Sequence, residues 1–357
     1  MPKDDSRRSR PGPAATAKSN IRDVARLAGV STATVSRVLA GADIVRAETV
    51  DRVMDAIKKL DYVANGHALA LTGRAPGAVA LISNVIAVDS FSQVAAGAEA
   101  VSSEENHMFT LFATHNDPER EVELIGRLRE QRAAAALWLG AARLGLSDDR
   151  FIDYARQLDT VGTKLVIVGR SRFSLPHNIP IVDYANESGM ADLVRYLLEL
   201  GHRRILFVGR DPDNSTALAR FAGYVRAHQE VGIDIDPQLT RDGLFTLESG
   251  RDEVEAALES NLRFTAVVAS ADFIAIGAMR AITSHGLRIP QDISAGGFDD
   301  MRYAADLTVP LTTVRAPFAD LGRHAAEIAL GLRQPSDEPL PTTLIVRAST
   351  SQPNITI

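Results

Sequence analysis

Residues 21–40 read IRDVARLAGVSTATVSRVLA, a stretch with the apolar spacing of two short helices. In the first helix the apolar side chains share one face, which comprises Ile21, Val24, Ala25 and Ala28. Asn20 and Asp23 can form a capping box at its start, and Gly29 is typical of a helix end. Ser31 can cap a second helix that ends at residues 40–41 and whose apolar face comprises Val35, Val38 and Leu39. Two short helices joined by a tight glycine turn predict a helix-turn-helix.

The segments around this motif predict a small all-α head with flexible flanks. Residues 1–18 are rich in Ser, Arg, Pro and Lys without hydrophobic periodicity, which predicts a disordered basic tail. A third amphipathic helix over about 48–60 would close a minimal core, so the head is expected to span residues 19–62. Residues 63–76 form a linker whose Ala-Leu-Ala-Leu centre can be helical but is too short to be stable by itself.

The remainder, residues 77–357, alternates short β-type runs with amphipathic helices such as 187–200. The runs with strand composition are 78–82, 108–113, 134–139, 165–168, 205–208, 266–269 and 294–297. This alternation predicts doubly wound parallel sheets with helices on both faces, and about 280 residues exceed one ordinary sheet of this kind. We therefore expect an α/β body of two lobes: about 77–179 plus 311–325, and about 180–310 plus 326–350.

The composition excludes several classes of protein. With no cysteine among 357 residues, a disulfide framework, a cysteine zinc site and a thiol nucleophile are all excluded, and a reducing cytosol is favoured. The longest apolar run, residues 133–139, is far shorter than the roughly 20 residues that cross a bilayer. The N-terminus lacks the apolar core of an export signal. We expect a cytoplasmic, nucleoid-associated protein with no membrane partner.

The formal net charge of −6 is unevenly distributed along the chain. Residues 1–74 contain 13 Lys and Arg against 8 Asp and Glu, a charge of +5. The rest contains 26 Lys and Arg against 37 Asp and Glu, a charge of −11. A small basic head before a large acidic body indicates that the head is the part that contacts nucleic acid.

The second helix has the side chains of a DNA-reading helix. Opposite its valine face it exposes three short side chains and one arginine, namely Thr32, Ala33, Ser36 and Arg37. The N-terminal part of such a helix meets base edges, and Arg37 could donate two hydrogen bonds to guanine O6 and N7. Ser31 and Thr34 suit phosphate contacts. An ordinary helical hairpin with solvated polar residues is the alternative, against which the basic head and the linker count.

Motifs along the whole chain resemble the lactose-repressor/galactose-repressor family of bacterial transcription regulators. In the head, residues 21–40 and 48–62 and an Asn-x-x-Ala-x-x-Leu linker carry the resemblance. In the body it rests on Asp183-Tyr184 before a helix and on ELGHRRI (199–205), RFAGY (220–224), ADFIAIGA (271–278), GGFDD (296–300) and PLTTV (310–314). Together these motifs cover roughly residues 20–350 in family order.

The resemblance implies a homodimer that places its second helices in the major grooves of a palindromic double-stranded operator. It also implies that the linker forms a hinge helix that inserts Leu71 into the minor groove, where an apolar wedge unstacks a base step. A linker residue packed on the body is the alternative for Leu71. Further DNA-contact residues are expected to be Arg22, Arg46, Asn65 and His67. The sequence departs from the family pattern at Ala64, where proline is usual, at Leu69, where arginine is usual, and at Arg46, where a capping serine is usual.

For the body the resemblance implies two lobes of the periplasmic-binding-protein type with a small effector in the cleft between them. The expected effector-binding residues are Ser90, Phe91, Arg170, Tyr184, Arg220, Phe245, Asp272 and Asp299. Arginine and aspartate suit a polyhydroxylated ligand, and aromatic rings suit a sugar face, so a sugar or sugar derivative is the first expectation. A nucleoside or purine is the alternative. The aromatic members could instead be core residues, and Arg170 could belong to a surface ion pair.

These expectations describe a repressor that is switched allosterically by its effector, as inducer or as corepressor. An enzyme is disfavoured because the chain has no phosphate-binding loop, nucleophile elbow or His-Glu-x-x-His motif. We accordingly expect no catalytic residue, no metal site and no cofactor. A simple solute-binding protein would account for the lobes but not for residues 20–74.

Overall fold

The computed structural model describes residues 19–39, 45–62, 77–86, 89–140, 149–170 and 178–354. The chain forms two compact units, one up to Pro76 and the other from Gly77. The predicted basic tail, the linker over residues 63–76 and the end of the second helix at 40–41 lie outside the described residues. None of the helices in the described ranges has the length and apolarity that a membrane crossing requires.

The described residues of the first unit form three helices around a small apolar core. They are α1 (Ile21–Ala28), α2 (Thr32–Leu39) and α3 (Ala47–Lys59). Val24, Val35 and Val53, one from each helix, are fully buried and belong to one apolar cluster. The three-helix head is thus held by β-branched side chains at helical spacing.

The local signals of the head operate as the sequence predicts. The Asn20 side chain accepts hydrogen bonds from the N–H groups of Arg22 and Asp23, and Asp23 completes the capping box. Gly29 ends α1 in the left-handed region with a φ of 66°. The Ser31 hydroxyl accepts from the Thr34 N–H at 3.1 Å. Arg46, which replaces the capping serine typical of the family, makes no side-chain cap at α3.

The second unit begins with a five-stranded parallel sheet in the order β2-β1-β3-β4-β5. Its strands are β1 (Val79–Ser83), β2 (Phe109–Ala113), β3 (Ala135–Leu139), β4 (Lys164–Val168) and β5 (Ile181–Val182). The helices between them are α4 (Asp89–Glu104), α5 (Pro118–Glu130) and α6 (Asp149–Asp159). The strand β1 is buried along its whole length, as expected of a strand covered on both faces.

A second sheet has six strands in the order β11-β10-β9-β8-β6-β7, with β11 antiparallel to β10. Its strands are β6 (Ile205–Arg210), β7 (Thr240–Asp242), β8 (Ala266–Ala269), β9 (Ser294–Asp299), β10 (Thr312–Arg315) and β11 (Thr343–Ile345). The remaining helices are α7 (Asn186–Glu199), α8 (Ser215–Glu230), α9 (Leu247–Glu259), α10 (Asp272–Ser284) and α11 (Phe318–Ala329). Short 3₁₀ segments occupy Pro237–Leu239 and Arg302–Ala305.

The structure corrects the expected lobe boundaries at three places. The strand β10, expected in the first lobe, pairs with β9 and β11 and so belongs to the second sheet. The helix α11 packs on α4 and on the strands β3 and β4 of the first lobe, whereas residues 326–329 were expected in the second lobe. The short β5, also expected in the second lobe, pairs with β4 in the first sheet. The chain therefore passes between the lobes three times, between β5 and α7, between β10 and α11, and between α11 and β11.

Candidate functional site

A cavity of about 410 Å³ lies where the carboxyl ends of strands from both sheets meet. From the first lobe it is lined by residues that end or follow strands or begin α4: Ser83, Asn84, Val85, Ser90, Leu139, Gly140 and Gly169. The other lining residues are Tyr184, Asn214, Thr216, Arg220, Phe245, Phe273, Asp299, Met301, Phe318 and Leu321. This is the edge at which parallel α/β sheets bind ligands.

Arg220, on α8, is the centre of the polar side of this cavity and is only 1% exposed. Its guanidinium donates hydrogen bonds to Asn186 Oδ1 at 2.9 Å, to the Ser270 carbonyl, and to the Tyr184 hydroxyl and Asp299 Oδ1 at 2.8 Å each. The guanidinium carbon also lies 3.8 Å from the centre of the Phe298 ring. Because every partner is buried or part of the fold, the arginine is held in one orientation before any ligand binds.

Asp299 presents the other charge of this pair. Burial raises the pKa of its carboxyl group, and the charge and hydrogen bond of Arg220 oppose that rise. Burial likewise raises the pKa of the Tyr184 hydroxyl, so this group is protonated near neutral pH. One oxygen of Asp299 accepts from Arg220, and the other makes no hydrogen bond to any described residue. The cavity therefore offers a free acceptor and a phenolic hydroxyl beside a neutralised arginine.

The backbone at Asp299 is strained. Asp299 has a φ of 113° and Asp300 a φ of 54°, both in the region that favours glycine. Asp300 forms ion pairs with Arg315 at 2.7 Å and with Arg347 at 2.6 Å. Two salt bridges thus hold the turn that directs the Asp299 carboxylate into the cavity.

Asp272, expected among the effector residues, does not line the cavity. Its carboxylate accepts from the Met301 N–H at 2.8 Å and from the Thr313 hydroxyl at 2.5 Å, and the side chain is fully buried. Burial, together with the charge of Asp299, raises its pKa well above the ordinary value. Asp272 therefore supports the Met301 backbone, and Met301 is the residue that reaches the cavity.

Phe91 and Arg170 also lie away from the cavity lining. Phe91 is 3% exposed and packs in the main apolar core, because its position on α4 faces the sheet. Arg170 is 2% exposed, and its guanidinium carbon lies 5.4 Å from the centre of the Phe151 ring. The other five expected residues, Ser90, Tyr184, Arg220, Phe245 and Asp299, are brought together around the cavity.

In the first unit, α2 presents two different faces. Val35 and Val38 are buried, whereas Thr32, Ala33, Ser36 and Arg37 are exposed. Arg37 forms no ion pair with any residue that the structure describes. The predicted contact residues Arg22, Ser31 and Arg46 are exposed as well, and Thr34 is half-buried. Asn65, His67 and Leu71 lie outside the described residues.

The chain has extensive similarity to known regulators. Residues 20–65 match the model of bacterial regulatory proteins of the lacI family, and residues 194–350 match a periplasmic binding protein-like domain. The HTH-type transcriptional regulator RegA of Clostridium saccharobutylicum is 33% identical over 340 residues, which cover 93% of this chain and 99% of RegA. The chain belongs to the lacI family of bacterial regulatory proteins. The family and the fold class that the sequence predicts are thereby confirmed.

Solved structures agree with this lacI-family assignment. A lac repressor dimer bound to operator and the anti-inducer ONPF is 26% identical, with a TM-score of 0.80. The superposition covers 94% of this chain and 100% of the lac repressor chain. The transcriptional regulator CelR, solved in complex with cellobiose, is 28% identical, with a TM-score of 0.65. The superposition covers 93% of this chain and 99% of the CelR chain. This lacI-family chain is a DNA-binding transcriptional regulator with a sensor body of the periplasmic-binding-protein type.

Several cavity residues of this lacI-family chain escaped the sequence reasoning, namely Asn84, Asn214, Thr216, Phe273, Met301 and Phe318. Asn84 directly follows β1 and Asn214 directly precedes α8, so the rule that ligands bind at carboxyl ends of strands could have found both. Met301 and Phe318 follow β9 and β10 within three residues, so the same rule points to them as well. In the described ranges, no group of three or more potential metal ligands lies together.

Proposed function

We propose that the protein is a repressor that binds a palindromic operator as a homodimer and responds to a sugar or sugar derivative in the cavity between the lobes. The observation that carries the effector class is the buried pair of Arg220 and Asp299 facing aromatic residues in one cavity. Asp299 retains an oxygen that can accept from a ligand hydroxyl, and the Tyr184 hydroxyl hydrogen is free to donate.

The apolar part of the cavity supports a sugar as well. Phe245 and Phe273 line one side with their ring centres 5.4 Å apart, and Phe318 lies on the lining too. Aromatic faces cover the C–H groups of a sugar ring while polar groups bind its hydroxyls. The volume of about 410 Å³ lies within the range of small-molecule sites, roughly 300–1,000 Å³. The cellobiose in the related CelR complex is consistent with this ligand class.

The exposed edge of the first sheet supports the dimer. β2 is the edge strand of that sheet, and Leu111 on it is 47% exposed. Met108, just before the strand, is 72% exposed, and Val122 on the neighbouring α5 is 60% exposed. Apolar groups concentrated at a sheet edge are typical of a protein interface. The related lac repressor is a dimer on its operator.

The head supports the operator-binding part of the proposal. Exposed Thr32, Ser36 and Arg37 on α2 can meet base edges and phosphates, and the basic charge of the head favours DNA. We infer that the residues outside the described ranges, Asn65, His67 and Leu71, contribute to the same interface. The role requires neither a catalytic residue nor a cofactor, and it places the protein in the cytoplasm on the nucleoid.

The decisive experiment is a thermal-shift screen of the full-length protein against sugars and nucleosides, followed by calorimetry of each hit. A ligand in excess raises the unfolding temperature because it binds only the folded state. For a sugar hit, Asp299→Asn is expected to weaken binding at least tenfold, about 1.4 kcal/mol, because the lost charge leaves the Arg220 guanidinium unbalanced.

The matched control is Asp234→Asn, which removes an exposed carboxylate that does not line the cavity. Its effector affinity is expected to equal that of the wild-type protein. If only nucleosides stabilise the protein, the effector belongs to the alternative class, a nucleoside or purine. A screen in which no carbohydrate stabilises the protein contradicts the sugar proposal.

A further inference from the structure

The second lobe has another cavity, of about 540 Å³, at the end of its sheet opposite to the effector cavity. Its walls come from segments that precede strands: Arg203 and Arg204 before β6, Arg263 and Phe264 before β8, and Ile293 before β9. The effector cavity instead lies at the carboxyl ends of these strands. The two cavities therefore lie at opposite edges of the same parallel sheet.

Arginine side chains concentrate at this second cavity. Arg203, Arg204 and Arg263 line it, and an adjoining cavity shares Arg204 and Arg263 and adds Arg241. Arg204 forms an ion pair with Asp236 at 2.9 Å, but the other three have no carboxylate within 4.0 Å in the part of the chain that the structure describes. The Nε of Arg241 is buried without a hydrogen-bond partner.

The carboxylate on the cavity wall is already neutralised. Asp292, the carboxylate on the cavity wall, binds Arg288 through both oxygens at 2.8 Å each. The hydrogen bonds from Arg288 lower its pKa to about 2, so it stays ionised and paired at neutral pH. Arg203 and Arg263 thus retain their positive charge without a carboxylate partner among the described residues, although residues 75–357 carry a net charge of −11.

The rest of the wall is apolar. Leu258, Leu262 and Leu287 line the cavity together with the buried Phe264 and Ile293. An inorganic anion would leave this surface unused, whereas a molecule with an apolar body and an anionic group would contact both parts of the wall. Arginine binds phosphate and carboxylate groups through paired hydrogen bonds.

We propose that this cavity is a second ligand site, for a small molecule that carries a phosphate or carboxylate group on an apolar body. Arg203 and Arg263 bind the anionic group, and the leucines and Phe264 contact the apolar part. The site differs in chemistry from the effector cavity, whose arginine is already paired with Asp299.

The test is calorimetry of the full-length protein at about 0.15 M ionic strength, where weak surface attraction is screened. The probes are phenyl phosphate, benzoate, inorganic phosphate and the uncharged benzyl alcohol. We expect saturable 1:1 binding of phenyl phosphate or benzoate, weaker binding of inorganic phosphate and no binding of benzyl alcohol. The stronger of the first two probes distinguishes a phosphate from a carboxylate ligand.

Arg263→Ala is expected to lower the affinity for the probe about tenfold, because it removes a guanidinium that would bind the anionic group. The exposed Arg263 side chain makes no hydrogen bond or ion pair with the described residues, so its removal should leave the fold unchanged. The control Arg280→Ala removes another exposed arginine that lines neither cavity, and it should leave the affinity unchanged. Asp299→Asn should also leave it unchanged, which separates this site from the effector cavity. Absence of saturable binding, or equal weakening by Arg263→Ala and Arg280→Ala, would overturn the proposal.

Discussion

Arg37 is the one basic side chain on the exposed face of α2, and it is free to reach a base. If it donates two hydrogen bonds to one guanine, Arg37→Ala should cost about 1–3 kcal/mol of operator affinity and relax the preference at one operator position. Selection of binding sites from random DNA measures both effects. Arg26→Ala is the control, since Arg26 on α1 pairs with Asp23. Unchanged base preference in Arg37→Ala would remove this residue from base recognition.

Two buried histidines make stability depend on pH. His202 and His228 are 0% and 2% exposed, and burial lowers the pKa of both. Below about pH 6.5 the unfolded chain binds protons that these folded side chains do not, so the free energy of unfolding falls as the pH falls. The loss can reach about 1.4 kcal/mol per pH unit for each histidine.

Urea unfolding between pH 7.5 and pH 5.5 measures this loss. His228→Phe keeps a ring beside Tyr224, whose ring centre lies 4.4 Å from that of His228, and removes one titrating group. The variant should therefore lose less stability on acidification than the wild-type protein. The prediction is wrong if both proteins lose the same amount.

Some cavity residues could be predicted from the sequence, and others could not. Arg220 and Asp299 were predictable because each stands in a recognisable motif, and both line the cavity. Asp272 stands in an equally clear motif, at the start of a helix after a strand, yet its carboxylate turns to Thr313 on β10. The orientation of the Asp272 carboxylate depends on Thr313, which is 41 residues away in the chain. The sequence around Asp272 carries no signal for this contact.

At the scale of elements, α4 and α11 approach each other closely through glycine. A Cβ at Gly322 would collide with the Val94 carbonyl oxygen, and one at Gly97 would collide with the Ala319 carbonyl oxygen. Gly322→Ala is therefore expected to lower the free energy of unfolding by about 1–3 kcal/mol through overpacking. The packing cost outweighs the better helix propensity of alanine, about 1 kcal/mol.

Gly126→Ala on α5 is the matched control, because a Cβ there would meet no atom within 4 Å. It should raise the free energy of unfolding by about 0.5–1 kcal/mol, the gain in helix propensity alone. Urea unfolding of both variants measures the contrast. Gly322→Ala protein as stable as Gly126→Ala would show that α4 and α11 can separate without cost.

The helix α11 also shows why the predicted lobe boundaries were wrong. Long amphipathic helices and buried strands were predictable from their periodicity, whereas β5, β7, β10 and β11 have only two to four residues each. The passage of the chain from β10 in the second sheet to α11 in the first lobe is set by long-range pairing. Apolar spacing reports that a helix has a buried face but not which lobe buries it.

At the scale of the whole molecule, the net charge of −6 does not by itself indicate that the protein binds DNA. The head and the acidic body carry opposite charges, so only the head gains from releasing counterions when it binds DNA. Removal of residues 1–74 should therefore abolish operator binding and leave effector binding to the body intact. A simple solute-binding protein would show no operator binding before or after this truncation.

Salt dependence measures the same division of charge. Each phosphate that the head neutralises adds about 0.9 to the slope of log affinity against log salt, so operator binding should weaken steeply between about 50 and 200 mM salt. If the exposed Arg46 contacts a phosphate, as we propose, Arg46→Ala should lower that slope by about one unit without a change in base preference. Arg280→Ala in the body should not change it, and effector affinity should vary little over the same range. Fluorescence anisotropy with operator DNA gives the slope, and a flat dependence would contradict docking dominated by phosphate contacts.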